Sequence, residues 1–176
     1  LFRSGKIVEY LNSENFEEFE SALECFHNLM LSQENEIVIE GMLPEIIDSI
    51  VKLLFNPRPD ALESSLEILC YLSDLKMSTR LLLARKPNLI PRLLALIAGN
   101  ISKSTEKAAK LAALIISNLC ITPGTKQYFL PFERDIFTLA TIDDTVSDTL
   151  SGILLELEPN NTSIYEQSQE FYQKKR

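Results

Sequence analysis

The side chains that most often carry out catalysis or bind metals are scarce in this 176-residue sequence. His27 is the single histidine, so a site with several histidine ligands cannot be built and a Ser-His-Asp arrangement has only one candidate base. Neither a glycine-rich phosphate-binding loop nor an HExxH zinc motif occurs. Cys25, Cys70 and Cys120 are separated by 45 and 50 residues, a spacing that gives no CxxC pair. We therefore expect no enzyme active site, no metal, no cofactor and no small-molecule substrate.

Charge and composition narrow the class of protein further. The formal net charge of −8 opposes binding to phosphate backbones, so we expect no direct contact with nucleic acid. No stretch reaches the roughly 20 apolar residues of a membrane-spanning helix, so we expect no membrane segment. The three widely spaced cysteines favour reduced thiols in an intracellular protein. Because the sequence starts without a methionine or a signal-peptide pattern, we interpret it as a piece of a longer protein.

Helices must position whatever site exists, because leucine, isoleucine, alanine and glutamate are abundant and glycine is rare. Segment 34–74 predicts three helical pieces. The first is a short apolar turn that Gly41 ends in a left-handed conformation. A second helix follows, then a breaker at 56–60, and then a third helix capped by Asp60 with Glu63. Apolar residues three or four apart give both longer helices one buried face. These residues are Leu43, Ile46, Ile47, Ile50, Val51 and Leu54 in the second helix and Leu62, Leu66, Leu69 and Leu72 in the third.

The same layout recurs along the chain. A shift of 47 residues places Pro44 on Pro91, and Asn88 then takes the left-handed position that corresponds to Gly41. The third helices are expected to end near Leu29, Leu72, Leu119 and Leu157. Repetition at this period is typical of a solenoid, in which each unit has a face that only its neighbours can bury.

This layout resembles the armadillo repeat: a short helix, glycine, an apolar helix, a breaker and an A-x-x-x-L-x-N-L helix. The resemblance implies an all-α, right-handed superhelix of about three and a half repeats over residues 1–159. Its repeats would span about 1–30, which is partial, then 31–75, 76–121 and 122–159. HEAT repeats remain an alternative, because they bury their faces in the same way. Segment 160–176 is a C-terminal tail for which disorder, a frayed helix and a docking segment all stay open.

The resemblance also implies a concave partner-binding groove along the third helices. In armadillo proteins an asparagine ladder grips a bound peptide; here the ladder positions hold Asn28, Tyr71, Asn118 and Glu156. One turn earlier on the same face stand Glu24, Glu67 and Leu114, and another turn earlier stand Glu20, Glu63 and Lys110. The ladder is half lost, and four glutamates form an acidic strip that favours a basic ligand. A solvated face and structural asparagines are the alternative interpretations.

A second candidate surface is a basic ridge around the third repeat's short helix, formed by Arg80, Arg85, Lys86 and Arg92. It could meet an acidic protein or a phosphate. With four charges on an acidic chain, it does not predict strong binding to DNA.

The run 128–136, with Leu139-Ala140 and Val146-Ser147 after it, resembles the end of the carboxy-terminal armadillo domain in ARID-bearing subunits of SWI/SNF chromatin remodellers. That resemblance implies a nuclear, non-catalytic scaffold that binds other protein subunits, while a separate ARID region contacts DNA. The alternative is a stand-alone armadillo adaptor that binds short basic peptides in its groove.

Overall fold

A computed structural model describes residues 4–55, 59–99, 105–142 and 145–157, and in these ranges the chain is helical without a strand. The predicted tail at 160–176 and most of the predicted breaker at 56–60 lie outside the described residues. The described α-helices are α1 (Ser4–Leu11), α2 (Phe16–Met30), α3 (Glu36–Leu53), α4 (Pro59–Leu75), α5 (Met77–Ala84), α6 (Leu89–Ile97), α7 (Glu106–Cys120), α8 (Glu133–Ile142) and α9 (Ser147–Leu157). The prediction of an all-α fold is confirmed. None of these helices is both long and apolar enough to cross a membrane.

The helices pack in two rows. In one row α4 packs against α7 and α7 against α9; in the other, α1 packs against α3 and α6 against α8. The rows are joined by the pairs α1–α2, α3–α4, α6–α7 and α8–α9. Helices α2, α4, α7 and α9 therefore correspond to the predicted third helices, and we call them the inner helices. The handedness of a superhelix and the repeat boundaries stay predictions.

The core lies between the rows and follows the predicted spacing. In α7 the residues that face it are fully or almost fully buried, and four of them are alanines: Ala108, Ala109, Ala112, Ala113, Ile115, Ile116, Leu119 and Cys120. Small side chains let neighbouring helices approach closely, and the larger ones fill the space that remains. This is why α7 can contact α4, α6 and α9 together.

Polar residues fix where two of the inner helices begin. Asn15 is the N-cap of α2, and its Oδ1 accepts a hydrogen bond from the backbone N–H of Glu17 at 3.0 Å. Thr105 is the N-cap of α7, and its Oγ1 accepts from the N–H of Ala108 at 3.1 Å. Both bonds satisfy an N–H group that the helix itself leaves without a partner.

Two local predictions were wrong. Gly41 lies inside α3, which runs unbroken from Glu36 to Leu53, so the predicted short turn and second helix are one element. Among the described glycines only Gly99 has a positive φ, and Gly41 does not terminate the helix because a glycine tolerates ordinary helical geometry at a modest cost. Asp60 is not an N-cap, because α4 already includes Pro59, and proline is favoured at the first helical position.

The prediction for Asn88 is confirmed. It precedes α6 with φ 63° and ψ 1°, in the left-handed region, which asparagine tolerates better than most residues. The chain therefore breaks between α5 and α6, whereas α3 continues through Gly41 as a single helix.

Candidate partner-binding site

Part of the predicted acidic strip lies around one groove between α2 and α4. The groove has a volume of about 360 Å³ and is lined by Glu20, Ser21, Leu23, Glu24, His27, Ser64, Glu67 and Ile68. Leu23 and Ile68 are buried and form its apolar floor, and Glu20 and Glu24 are exposed at its rim. The arrangement places carboxylates from two neighbouring inner helices around an apolar base. Such a groove can bind a segment with both positive charges and aliphatic stems, as lysine and arginine have.

Glu63, the fourth member of the strip, does not line this groove and contacts the next inner helix instead. Its Oε1 accepts a hydrogen bond from Thr105 Oγ1 at 2.7 Å, and its Oε2 lies 3.4 Å from Lys107 Nζ. The same ammonium lies 2.6 Å from Glu67 Oε1. Lys107 therefore neutralises part of the strip. Within the described part of the chain, Glu20 and Glu24 are in no ion pair.

These contacts shift two pKa values. The hydrogen bond from Thr105 lowers the pKa of Glu63, and Lys107 adds to the effect; Glu67 in turn raises the pKa of Lys107. Because the folded pKa of Glu63 lies below its unfolded one, the stabilisation from these contacts is present at neutral pH. It is lost as the pH falls below the ordinary carboxyl pKa and through the folded one.

Thr105 and Lys107 were not among the residues predicted from the sequence. Lys107 could have been found from its spacing: it lies three residues before the predicted groove residue Lys110, and residues three apart share one face of a helix. Lys110 itself pairs with Glu106 along α7, at 2.5 Å. Nothing in the local sequence indicated that the cap of one helix would also bind a carboxylate of another.

The ladder positions have different structural roles. Asn118 Nδ2 donates to Ser73 Oγ at 3.0 Å, which ties α7 to α4. The Tyr71 hydroxyl donates to the backbone carbonyl of Met30, which ties α4 to the end of α2. Asn28 is exposed, and Glu156 lies 3.9 Å from Lys126. At two of the four positions the side chain therefore joins neighbouring inner helices.

The Asn118 contact gives the first testable expectation. Replacing Asn118 with alanine should lower the free energy of unfolding by about 1 kcal/mol, because buried Ser73 then loses a hydrogen-bond partner. Asn28→Ala is the matched control at an exposed ladder position and should change stability by less than about 0.5 kcal/mol. Urea unfolding followed by circular dichroism measures both variants. Equal losses in the two variants would contradict the structural role of Asn118.

The predicted basic ridge is largely engaged within the chain. Arg80 Nε donates to the carbonyl of Ser73 at 2.7 Å, at the carboxyl end of α4. Arg92 donates to the carbonyl of Leu54 from Nε at 2.8 Å and from Nη2 at 2.6 Å, at the carboxyl end of α3. Cations at these positions satisfy terminal carbonyls and suit the negative end of the helix dipole.

The remaining two members of the ridge differ from each other. Lys86 forms an ion pair with Asp48 of α3, whereas Arg85 is exposed. Of the four side chains, Arg85 is therefore the best placed to meet a partner.

Leu114 belongs to the predicted groove and is 46% exposed on α7. Its exposure sets it apart from the buried residues of the same helix. Burying this leucine against another protein would remove apolar surface from water.

The cysteines are free thiols. Cys120 is fully buried, and this burial raises its pKa to about 11. Burial also raises the pKa of the Cys70 thiol, with a further effect from Asp74. Neutral thiols are poor nucleophiles. Cys120 belongs to the buried core and the half-buried Cys70 packs against it, so both act as packing residues.

The sequence matches no family model. It is similar to the armadillo repeat-containing protein LFR of Arabidopsis thaliana, with 27% identity over 143 residues. The similarity covers 81% of this chain and 31% of that protein, so the chain spans about a third of the relative's length. The helical structure of the described residues is consistent with armadillo repeats. The chain is thus a distant homologue of an armadillo repeat-containing protein.

Proposed function

We propose that this chain is a non-catalytic scaffold that binds other protein subunits within a larger assembly. The observation that carries the proposal is the set of large apolar side chains exposed on or beside the helices. They range from 46% to 82% exposed: Leu31, Ile37, Val38, Phe55, Met77, Leu114, Ile121, Ile142 and Leu155. Burying such side chains against a partner removes apolar surface from water, which favours association with other proteins. The distant homology to an armadillo repeat-containing protein supports the same role.

The assembly we propose is a nuclear chromatin remodeller of the SWI/SNF type. Its support is the sequence resemblance in the run 128–147. In the structure Phe129, Ile136, Ala140 and Val146 of this run are buried. These buried residues pack the last helices, whereas Ile142 of the same run is 73% exposed and open to a partner.

A pull-down from nuclear extract, quantified by mass spectrometry, tests the proposal. We expect several remodeller subunits to be retained in stoichiometric amounts through washes at high salt, because interfaces of obligate type are large and apolar. Retention of stable partners from another assembly would remove the remodeller and keep the scaffold. Recovery of no stable partner would overturn the scaffold itself.

The second candidate function is a stand-alone adaptor for short basic peptides, which the acidic groove favours. It predicts that Glu20→Lys with Glu24→Lys weakens binding of a lysine-rich peptide at least tenfold. Both carboxylates are exposed and lie at the rim of the groove. Electrostatic attraction there should fall steeply with charge reversal and with added salt.

The matched control for this experiment is Glu9→Lys with Glu45→Lys, which changes the net charge equally at exposed positions of α1 and α3. Fluorescence anisotropy of a labelled oligolysine peptide measures the affinity. Equal weakening by both double variants would show that the attraction comes from overall charge and would remove the groove from the adaptor hypothesis.

A further inference from the structure

A second groove lies at the end of the inner helices where α2 and α4 finish and α3 and α5 begin. It has a volume of about 370 Å³ and is lined by Met30, Ser32, Ile39, Glu40, Leu43, Tyr71, Leu75, Lys76 and Thr79. For scale, a cavity of about 150 Å³ lined by apolar side chains binds benzene. The groove is therefore large enough for one large aliphatic or aromatic side chain and too small for a whole helix.

The charges that line this groove are already matched. Lys76 Nζ forms an ion pair with Glu40 across it, and the Tyr71 hydroxyl donates to the carbonyl of Met30. An apolar side chain can therefore enter without leaving Glu40, Lys76 or the Tyr71 hydroxyl unpaired, which would otherwise oppose binding. The groove itself thus favours an apolar group over an ion.

Apolar side chains continue from the groove onto the surface. Leu31 stands between two lining residues in sequence and is 71% exposed. Ile37 is 82% exposed and lies one turn before Glu40 on α3. Together they extend the apolar contact area beyond the opening, as the neighbours of a central anchor do in protein interfaces.

The surrounding charge indicates what kind of segment fits. Glu34 and Asp74 are exposed and follow or precede lining residues closely in sequence, and the whole chain carries a net charge of −8. Two copies placed face to face would bring these carboxylates together, which opposes self-association through this groove. Arg80 also lies here, with its Nη2 3.2 Å from the Asp74 carbonyl oxygen. The two carboxylates outnumber it, so lysine or arginine that flanks the anchor would be attracted.

We propose that this groove, with Leu31 and Ile37 at its rim, binds a partner segment in which one large apolar residue is flanked by lysine or arginine. The inference rests on the scaffold function and assigns to it a docking surface distinct from the acidic groove. The apolar anchor supplies most of the affinity, and the basic flanks set the direction of the segment.

The probe is a synthetic peptide with a central phenylalanine between lysine pairs, observed by methyl NMR of the protein. We expect saturable shifts at Met30, Leu43 and Leu75. Replacing the phenylalanine by alanine, or the lysines by glutamates, should each weaken binding at least tenfold. Shifts at Leu23 and Ile68 instead would place the peptide in the acidic groove and overturn the proposal.

The variants are Leu31→Ser with Ile37→Ser and, as matched control, Leu155→Ser with Ile142→Ser. All four side chains are more than half exposed, so both double variants should keep the wild-type circular dichroism spectrum and melting temperature. We expect the first pair to weaken the peptide at least tenfold and the control to leave affinity within twofold. Equal effects of the two pairs would overturn the proposal.

Sedimentation equilibrium tests whether a second copy of the chain covers the groove instead. A dimer that Leu31→Ser with Ile37→Ser abolishes would show that a second copy covers the groove, against the proposal. The scaffold function is judged separately by the nuclear pull-down. Stable partners without peptide binding overturn only the groove, whereas peptide binding without stable partners overturns only the scaffold.

Discussion

Replacing Leu119 with alanine is expected to lower the free energy of unfolding by about 2–5 kcal/mol. The side chain is fully buried on α7, the helix that contacts α4, α6 and α9. Truncation removes apolar contacts and leaves a cavity that the surrounding helices close only in part. Since α7 packs against α4 and also against α9, the loss should reach both of these neighbouring helices.

The matched control is Leu114→Ala, the same chemical change on the same helix at a side chain that is 46% exposed. It should change the free energy of unfolding by less than about 0.5 kcal/mol. Urea unfolding followed by circular dichroism measures both variants. If Leu114→Ala proved as damaging as Leu119→Ala, the assignment of one buried and one exposed face to α7 would be wrong.

The pair also separates folding from binding. Leu114 was predicted from the sequence to face a partner, and in the structure it is the exposed leucine of α7. In the scaffold proposal Leu114→Ala therefore weakens partner retention while leaving the helix content and unfolding midpoint unchanged. Leu119→Ala would reduce retention only in proportion to the fraction unfolded.

Burial explains why the helices could be predicted from the sequence. Four leucines were expected near the ends of successive third helices. Leu72, Leu119 and Leu157 are buried near the ends of α4, α7 and α9, and Leu29 is half-buried near the end of α2. The spacing of apolar residues predicts which face of a helix is buried. The hydrophobic effect acts on that whole face, so the prediction holds even when one residue departs from the pattern.

Features set by a single residue were harder to predict. Gly41 and Asn88 occupy corresponding positions, yet only Asn88 adopts a left-handed conformation. Whether a chain breaks or continues at such a position depends on how the two flanking pieces pack, since the local preference amounts to about 1 kcal/mol or less. Local sequence alone does not contain that packing.

In the candidate site, too, the helix faces could be predicted from the sequence, whereas individual contacts could not. The inner faces of α2 and α4 could be predicted, and three of the four strip glutamates do line one groove. The partners of the charged residues could not, because Lys107 contacts Glu63 and Glu67 across two helices more than 35 residues apart in sequence. A charge visible in the sequence does not reveal which neighbour the fold brings within 4 Å.

Arg92 gives the second large expected effect. Replacing it with methionine should lower the free energy of unfolding by about 2–3 kcal/mol, because a charged donor to a backbone carbonyl contributes about 1.5–3 kcal/mol. Two of its nitrogens donate to the carbonyl of Leu54, and its guanidinium carbon lies 4.9 Å from the centre of the Phe55 ring. Methionine keeps much of the aliphatic stem, so the loss of unfolding free energy measures the contribution of the guanidinium group.

Arg85→Met is the matched control within the same predicted ridge, at a side chain that is exposed. It should leave the free energy of unfolding within about 0.5 kcal/mol of the wild type. A ridge built to bind an acidic partner predicts the reverse pattern, in which both variants fold normally and both lose binding. Large destabilisation by Arg92→Met alone would show that this arginine secures the end of α3 against α6, and that Arg85 alone of the two stays available to a partner.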